Sequence, residues 1–222
     1  CKIAAQSKRK PRIVYASSSS VYGCVANKRV SKEEDLLSEP WTPHNAYDVT
    51  KFALDAQAGI LAKRYGISCL GLRFGTVNGA GAITRVDVML NAMVEAAIST
   101  GEVQCFNPRI HRPILGLKDL TRAVLAIVEA ESAPQGASVY NLASFNAQVI
   151  DLANAVGRLT DANVLVSGPP DTSGSKLNSI TYDFTIDSSK FCRDFLFEFQ
   201  DTQESIIESL RDGLPFSLKV RR

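Results

Sequence analysis

The stretch Asn45-Ala-Tyr-Asp-Val-Thr-Lys-Phe52 places Tyr47 and Lys51 four residues apart, at the start of a predicted helix. Residues at i and i+4 lie on one face of a helix, so we expect the ammonium group of Lys51 near the phenol of Tyr47. A nearby positive charge favours the ionised form of a phenol, which can then act as a general base on an alcohol. This spacing also arises by chance on solvated helix faces, so the pair needs a second signal.

That second signal is the serine-rich stretch Val14-Tyr-Ala-Ser-Ser-Ser-Ser-Val-Tyr-Gly23, which precedes the predicted helix. Residues 12–16 read as a short apolar strand that ends in the four serines. Hydroxyl groups at the carboxyl end of a parallel strand face the crevice in which α/β proteins bind their ligands. Strand-like and helix-like patterns alternate along the chain, which predicts an α/β fold with a parallel sheet.

The helix that carries Tyr47 is predicted to begin at Asn45 as N-cap and to stop at Gly66. Its apolar spacing predicts one buried face, formed by Val49, Phe52, Ala53, Ala56 and Ile60. The other predicted elements are a helix at 1–8, a strand at 67–74, a loop after 75, a helix at 86–99, a strand at 103–106, a helix at 117–130, a strand at 138–142, a helix at 149–159, a strand at 163–166, a loop at 168–179 and a helix at 202–212.

Composition narrows the class of protein. The chain has 222 residues and a formal net charge of +2, which is too small to indicate nucleic acid or a membrane surface as a partner. No apolar run approaches the roughly 20 residues that a membrane-spanning helix needs. The five cysteines are dispersed and form no Cys-x-x-Cys, so neither a disulfide framework nor a metal site is expected. This pattern favours a reducing, cytoplasmic location.

Together, the serine-rich strand end and the Tyr-x-x-x-Lys pair resemble the extended short-chain dehydrogenase/reductase family, in particular its nucleotide-sugar epimerases and dehydratases. The resemblance implies a Rossmann-like doubly wound parallel sheet, NAD as cofactor with NADP not excluded, a nucleotide-diphosphate sugar as substrate, and a homodimer. Residues 1–80 would form the C-terminal half of the NAD-binding domain. Residues 81–222 would form mostly a smaller substrate-binding lobe, with residues 117–150 returning to the NAD-binding domain.

The resemblance does not include the N-terminal part of the family. The family opens with a glycine-rich turn between a strand and a helix, and the first glycine of this chain is Gly23. About three βα units, each of roughly 30 residues, are therefore expected to be absent from the sequence.

The resemblance assigns the catalytic residues. Aligned on Val21-Tyr-Gly23, the catalytic serine or threonine of the family corresponds to Ser18, with Ser19 as the alternative. Tyr47 would be the base and acid. Lys51 would hold the nicotinamide ribose and favour the ionised form of Tyr47.

Further assignments follow from the flanking residues. Ser17 and Phe74 are assigned to the cofactor, although serines such as Ser17 and Ser20 are also explained as turn residues that satisfy backbone groups. Family dehydratases carry an Asp-Glu pair after the catalytic residue. This chain has Ser19 and Ser20 there, which disfavours a 4,6-dehydratase.

Two later segments are assigned to the substrate. Leu72-Arg-Phe-Gly-Thr-Val-Asn-Gly79 is similar to the family's Arg-x-x-Asn-x-Tyr-Gly, so Thr76 would face the sugar together with Ser19. His111-Arg-Pro-Ile-Leu-Gly-Leu-Lys-Asp119 resembles its Arg-Asp-Phe-x-x-Val-x-Asp, so Arg112 would grip the diphosphate. A planar guanidinium suits this task because it donates two parallel hydrogen bonds to phosphate oxygens.

The remaining assignments are less direct. Arg85 begins the helix that lines the nucleotide base in the family. The family's second phosphate-binding arginine has no match in 168–179, where Lys176 would substitute as a less directional charge. Asp119 is expected to stabilise a helix start rather than to catalyse.

Three functions remain open at this point. The leading hypothesis is an NAD-dependent nucleotide-sugar epimerase that acts at C4 through a transient keto intermediate. The alternatives are an NAD(P)-dependent reductase or dehydrogenase of a sugar or another secondary alcohol, and an inactive fragment if the polypeptide starts at Cys1.

Overall fold

The computed structural model describes residues 1–8, 11–24, 30–38, 43, 45–132, 134–167 and 182–214. The chain divides into two compact units that interleave along the sequence. Unit 1 comprises residues 1–75, 121–143 and 184–198, and unit 2 comprises residues 76–120, 144–183 and 199–222. The expected division near residue 80 into a cofactor-binding domain and a substrate-binding lobe stays a prediction.

Unit 1 is built on a parallel sheet of three strands, in the order β1 (Ile13–Ser18), β3 (Cys69–Phe74) and β7 (Ala137–Leu142). The strands are apolar and largely buried towards their carboxyl ends, as parallel strands usually are. Ser18 pairs with Phe74, and Phe74 pairs with Leu142, so the three strands end side by side. The structure confirms the predicted α/β fold with a parallel sheet.

The other elements of unit 1 surround this sheet. They are α1 (Lys2–Gln6), a 3-10 helix (Ser19–Cys24), β2 (Val30–Ser31), α2 (Asp35–Ser38), α3 (Ala46–Tyr65), β10 (Thr185–Ile186) and α7 (Ser189–Phe195), and β2 pairs with β10 in parallel. The helix α3 begins as predicted, because the side chain of Asn45 accepts a hydrogen bond from the backbone N–H of Asp48 at 2.9 Å. It ends as predicted at Gly66, whose φ of 59° suits glycine.

The buried face of α3 is not the predicted one. Val49 and Ile60 are 42% and 67% exposed, whereas Asp48, Ala58 and Ala62 are buried. Of the other residues predicted for this face, Phe52 is half-buried and both Ala53 and Ala56 are exposed. The prediction is wrong because α3 packs on the sheet through small and polar side chains, so its apolar spacing marks the outer surface.

Unit 2 has a helical layer and short strands. Its elements are β4 (Thr76–Asn78), α4 (Met89–Thr100), β5 (Glu102–Phe106), β6 (His111–Gly116), β8 (Phe145–Gln148), α6 (Val149–Thr160), β9 (Asn163–Ser167) and α8 (Gln203–Gly213), while α5 (Leu117–Glu129) runs from unit 2 into unit 1. β6 pairs with β4 in parallel and with β8 in antiparallel, and β5 pairs with β9 in parallel. The core brings together Leu90, Val94, Leu152, Ile207 and Leu210, all fully buried.

Two strands of unit 2 were not predicted. Thr76–Asn78 forms β4 where a loop was expected after residue 75, and Arg112 lies in β6, a segment for which no element was predicted. Each strand obtains its partner from a distant part of the chain, with Thr76 paired to Ile114, so local periodicity does not reveal either of them. The other predicted helices and strands of unit 2 are confirmed with ends shifted by a few residues. The loop predicted at 168–179, with Lys176, lies outside the described residues.

Asp119 stabilises unit 2 through backbone groups. Its buried carboxylate accepts hydrogen bonds from the backbone N–H groups of Gln200 at 3.0 Å and Asp201 at 2.8 Å. In return, the carboxylate of Asp201 accepts from the backbone N–H of Asp119 at 2.9 Å. Gly116 leaves the room that the Asp201 side chain occupies. The pair ties the start of α5 to the segment before α8.

Candidate active site

Tyr47 and Lys51 lie one turn apart near the start of α3. The ammonium nitrogen of Lys51 is 5.5 Å from the centre of the Tyr47 ring, within the range of a cation–π interaction. The same nitrogen donates a hydrogen bond to the backbone oxygen of Ala16 at 2.9 Å. Tyr47 is 53% exposed, so a ligand can reach its side chain. The contact to Ala16 fixes this face of α3 beside the carboxyl end of β1.

Ser18 is the last residue of β1 and takes part in a short chain of hydrogen bonds. Its hydroxyl donates to the hydroxyl of Ser20 at 2.9 Å and accepts from the backbone N–H of Ser20 at 3.2 Å. The hydroxyl of Ser20 donates to a carboxylate oxygen of Asp48 at 2.7 Å. Since Asp48 follows Tyr47 directly in α3, this chain connects the serine-rich strand end to the helix that carries Tyr47.

The other residues predicted for unit 1 lie at the same end of the sheet. Ser17 and Ser19 are buried on either side of Ser18 in sequence. The buried hydroxyl of Ser17 has no hydrogen-bond partner among the described residues. Phe74 is half-buried and sits opposite Ser18 on the neighbouring strand.

A buried polar network supports this end of β1. Its residues were not assigned a function from the sequence. Arg73 in β3 forms an ion pair of 2.9 Å with Asp55 in α3, and both side chains are at most 7% exposed. The guanidinium of Arg73 also donates to the hydroxyl of Tyr22, which donates to the side-chain oxygen of Asn141 at 2.8 Å. The network therefore ties α3 and the 3-10 helix to two strands of the sheet.

The charge balance of this network follows from burial. Burial raises the pKa of Tyr22, so its phenol stays protonated at neutral pH. Burial alone would lower the pKa of Arg73, but the contacts with Tyr22 and Asp55 raise it on balance. Because Tyr22 is neutral, the acidic side chain in direct contact with the buried guanidinium is that of Asp55.

The substrate-binding residues predicted further along the chain lie in unit 2. Thr76 is half-buried in β4. Arg85 is exposed, and its guanidinium makes two hydrogen bonds to the carboxylate of Asp87, at 3.0 and 2.7 Å. That ion pair lowers the pKa of Asp87. A phosphate or a nucleobase at Arg85 would therefore compete with Asp87 for the same donors.

Arg112 occupies β6 and is half-buried. Its guanidinium lies 5.7 Å from the ring centre of Tyr182. Burial lowers the pKa of Arg112, with partial compensation by Tyr182 and Asp183. Next to it, His111 bonds the carboxylate of Asp183 through both its backbone N–H (2.8 Å) and its ring (3.0 Å).

In the part of the chain that the structure describes, no cluster of three or more His, Cys, Asp or Glu side chains is arranged to hold a metal ion. None of the described helices is long and apolar enough to cross a membrane.

Comparison with known protein families identifies the family of the chain. Residues 2–143 match the NAD dependent epimerase/dehydratase family. The chain belongs to this family, which confirms the resemblance noted in the sequence.

Curated relatives match parts of the chain. Protein CapI of Staphylococcus aureus is 28% identical over 123 residues, which are 55% of this chain and 35% of CapI. An uncharacterised 37.6 kDa protein of Escherichia coli O111:H- is 27% identical over 166 residues, covering 68% of this chain and 47% of that protein. The chain thus spans less than half the length of these relatives.

Solved structures show the same fold at low identity. The UDP-glucuronic acid 4-epimerase of Bacillus cereus, in complex with UDP-glucuronic acid and NAD, gives a TM-score of 0.77 at 18% identity, over 96% of this chain and 63% of the other. TunA, an NAD-dependent NDP-hexosamine 5,6-dehydratase, gives a TM-score of 0.73 at 19% identity, over 91% of this chain and 63% of TunA. RMD of Pseudomonas aeruginosa, in complex with NADPH, gives a TM-score of 0.72 at 14% identity, over 94% of this chain and 67% of RMD. These likenesses confirm the predicted Rossmann-like fold class.

Proposed function

We propose that the chain carries the catalytic centre of an NAD-dependent nucleotide-sugar epimerase, which acts at C4 in the cytoplasm. The observation that carries the proposal is the contact of Lys51 with both the Tyr47 ring and the backbone oxygen of Ala16. It sets an accessible phenol, an ammonium group and the serine-rich end of β1 at one edge of a parallel sheet, where such folds bind ligands.

The residues of unit 1 fit the nicotinamide-ribose end of NAD. Lys51 has three N–H donors, one of which is directed at Ala16, so others can bind a ribose hydroxyl group. The buried hydroxyl of Ser17 lacks a partner in the described structure and suits a polar ligand group. Phe74, beside Ser18, offers an apolar surface for a ring. When bound, NAD would supply a reversible hydride acceptor.

The protein side chains would then handle the proton. Tyr47 would take the proton from the C4 hydroxyl group and later return it. The oxygen of Ser18, whose own proton is given to Ser20, would accept a hydrogen bond from a hydroxyl group of the sugar and so orient it. Return of hydrogen to the opposite face of the transient keto sugar would invert C4 with no net oxidation.

Unit 2 would supply the substrate contacts. Arg112 is proposed to bind the diphosphate, because its half-buried guanidinium is positioned by Tyr182 and keeps its planar donors. Thr76, with Ser19 of unit 1, is proposed to bind the sugar, and Arg85 the nucleotide base. The similar B. cereus structure contains UDP-glucuronic acid, which makes a UDP-sugar the first substrate to test.

A dehydratase is a weaker candidate for this site. Elimination of water needs an acid beside the reacting carbon, and Ser19 and Ser20 offer hydroxyl groups instead. The carboxylate that contacts Ser20 belongs to Asp48, which is completely buried and so does not present itself to a ligand.

A reductase or dehydrogenase of a sugar or another secondary alcohol is the second candidate, because the same three side chains serve both reactions. The RMD structure with NADPH shares this fold. The two functions differ in what happens to the nicotinamide: an epimerase restores it in each cycle, whereas a reductase consumes it in proportion to product.

We also propose that the enzyme is a homodimer that pairs through α3. Val49 and Ile60 leave an exposed apolar strip on this helix, and apolar strips of this kind commonly mark protein contacts.

The proposed function is tested by replacing Tyr47 with Phe in the full-length protein. Epimerisation of UDP-glucuronic acid and related UDP-sugars is followed by chromatography of the products. We expect Y47F to lose at least about a hundredfold in kcat, since it removes the acid–base group. Tyr65→Phe, the same change at the far end of α3, is the control and should keep full activity. Near-normal turnover by Y47F would refute the assignment.

A further inference from the structure

Asp48 is an unusual residue to find at the buried side of α3. Its side chain is fully buried, although an aspartate in the first turn of a helix is ordinarily exposed and stabilises the helix by its charge alone. A buried carboxylate needs hydrogen-bond donors, and the hydroxyl of Ser20 supplies one at 2.7 Å. The carboxylate of Asp48 therefore bonds the serine-rich strand end rather than solvent.

Ser20, which is held by Asp48, is in turn hydrogen-bonded to Ser18. Ser20 bonds Ser18 twice, through its backbone N–H at 3.2 Å and its hydroxyl at 2.9 Å. With Asp48 holding the hydroxyl of Ser20, neither serine side chain can rotate without losing a hydrogen bond. A carboxylate only accepts hydrogen bonds, so the donors run in one direction, from Ser18 to Ser20 to Asp48.

We propose that Asp48 is a positioning residue, which acts through Ser20 to fix the oxygen of Ser18 as a hydrogen-bond acceptor where the sugar is bound. This inference rests on the proposed function, because it concerns binding of the same sugar. It also gives a reason for the burial of Asp48 next to Tyr47: one turn of α3 then positions both the acid–base residue and the serine. Misplacement of such a group by about 1 Å can cost roughly a hundredfold in rate.

The test is a double-mutant cycle in the full-length protein, with Asp48→Ala, Ser18→Ala and the double variant. We expect D48A, which removes the acceptor for the Ser20 hydroxyl, to lower kcat by roughly ten- to a hundredfold with little change in KM for the UDP-sugar. In the S18A background, D48A should have no further effect, because the group it positions is already gone. Independent effects that multiply in the double variant would overturn the proposal, since a role confined to helix stability does not depend on Ser18.

Two further variants separate positioning from folding. Ser20→Ala removes the connecting hydroxyl without changing any residue of α3, and it should reproduce the kcat loss of D48A. Its thermal midpoint should fall only modestly, because one donor to the buried carboxylate is lost while the side chain of Asp48 stays in place. Asp151→Ala alters an exposed acid in the first turn of α6 and should leave kcat unchanged. An S20A enzyme with wild-type kcat would overturn the proposal even if D48A did not fold.

The two proposals fail in different ways. A wild-type protein with no activity on any UDP-sugar would refute the proposed function itself. An active wild type with an inactive Y47F variant and an unimpaired D48A variant would refute the role of Asp48 alone.

Discussion

At the scale of single residues, the groups near the serine-rich strand end differ in how far the sequence reveals them. Tyr47 and Lys51 are visible in the sequence because a spacing of four fixes their proximity on any helix. The bond from Ser20 to Asp48 spans 28 positions, and the ion pair of Arg73 with Asp55 spans 18. No local pattern links such partners, since only the packing of α3 on the sheet brings them together.

The buried ion pair leads to a prediction about stability. Arg73→Met should lower the free energy of unfolding by about 3–5 kcal/mol, because it leaves the carboxylate of Asp55 buried without its partner. Arg158→Met breaks the exposed pair with Glu204 and should cost under about 1 kcal/mol. Urea unfolding of both variants measures the difference, and equal losses would show that the Arg73 pair is not the buried anchor described above.

At the scale of elements, the ends of α3 were predictable and its orientation was not. Asn45 and Gly66 act through their own backbone neighbours, so the signals for start and stop are contained in the sequence itself. Which face turns inward depends on the surface that receives it. The sheet receives Ala58 and Ala62, and the apolar residues that the spacing selected remain outside. For the same reason β4 and β6, which pair with each other, were not foreseen as strands.

The exposed strip of α3 leads to a prediction about assembly. Ile60→Glu should convert the proposed dimer of the full-length protein to a monomer, because it places a charge on the apolar strip. The thermal midpoint should stay unchanged, since Ile60 is 67% exposed. Leu37→Glu makes the same change at an 88% exposed residue of α2 and should leave the dimer intact. Analytical ultracentrifugation measures both variants, and a persistent I60E dimer would place the contact elsewhere.

At the scale of the whole molecule, the proposed reaction determines how the cofactor should behave. An epimerase restores its nicotinamide in each cycle, so the full-length protein purified without added nucleotide should retain NAD. Native mass spectrometry should therefore show the mass of one NAD per chain, and the identity of the released nucleotide would distinguish NAD from NADP. If the protein retains neither NAD nor NADP and consumes added NAD(P)H in proportion to product, the reductase is favoured.

Lys51 provides the matched variant for this measurement. Lys51→Met should reduce the retained NAD, because it removes the ammonium group proposed to bind the ribose. Lys63→Met alters an exposed lysine in the last turn of the same helix and should retain it fully. Equal retention by both variants would contradict the role of Lys51 in holding the cofactor.

The interleaving of the two units has a consequence for synthesis of the protein. The sheet of unit 1 uses strands before residue 75 and after residue 136, and unit 1 also includes residues 184–198. The core of unit 2 includes Ile207 and Leu210 of α8, packed with Leu90 and Leu152. A nascent chain that has not yet released α8 from the ribosome therefore lacks part of the unit 2 core. Unit 2 must close a long loop once α8 emerges, so its folding should be slow and dependent on protection of its exposed apolar segments until then.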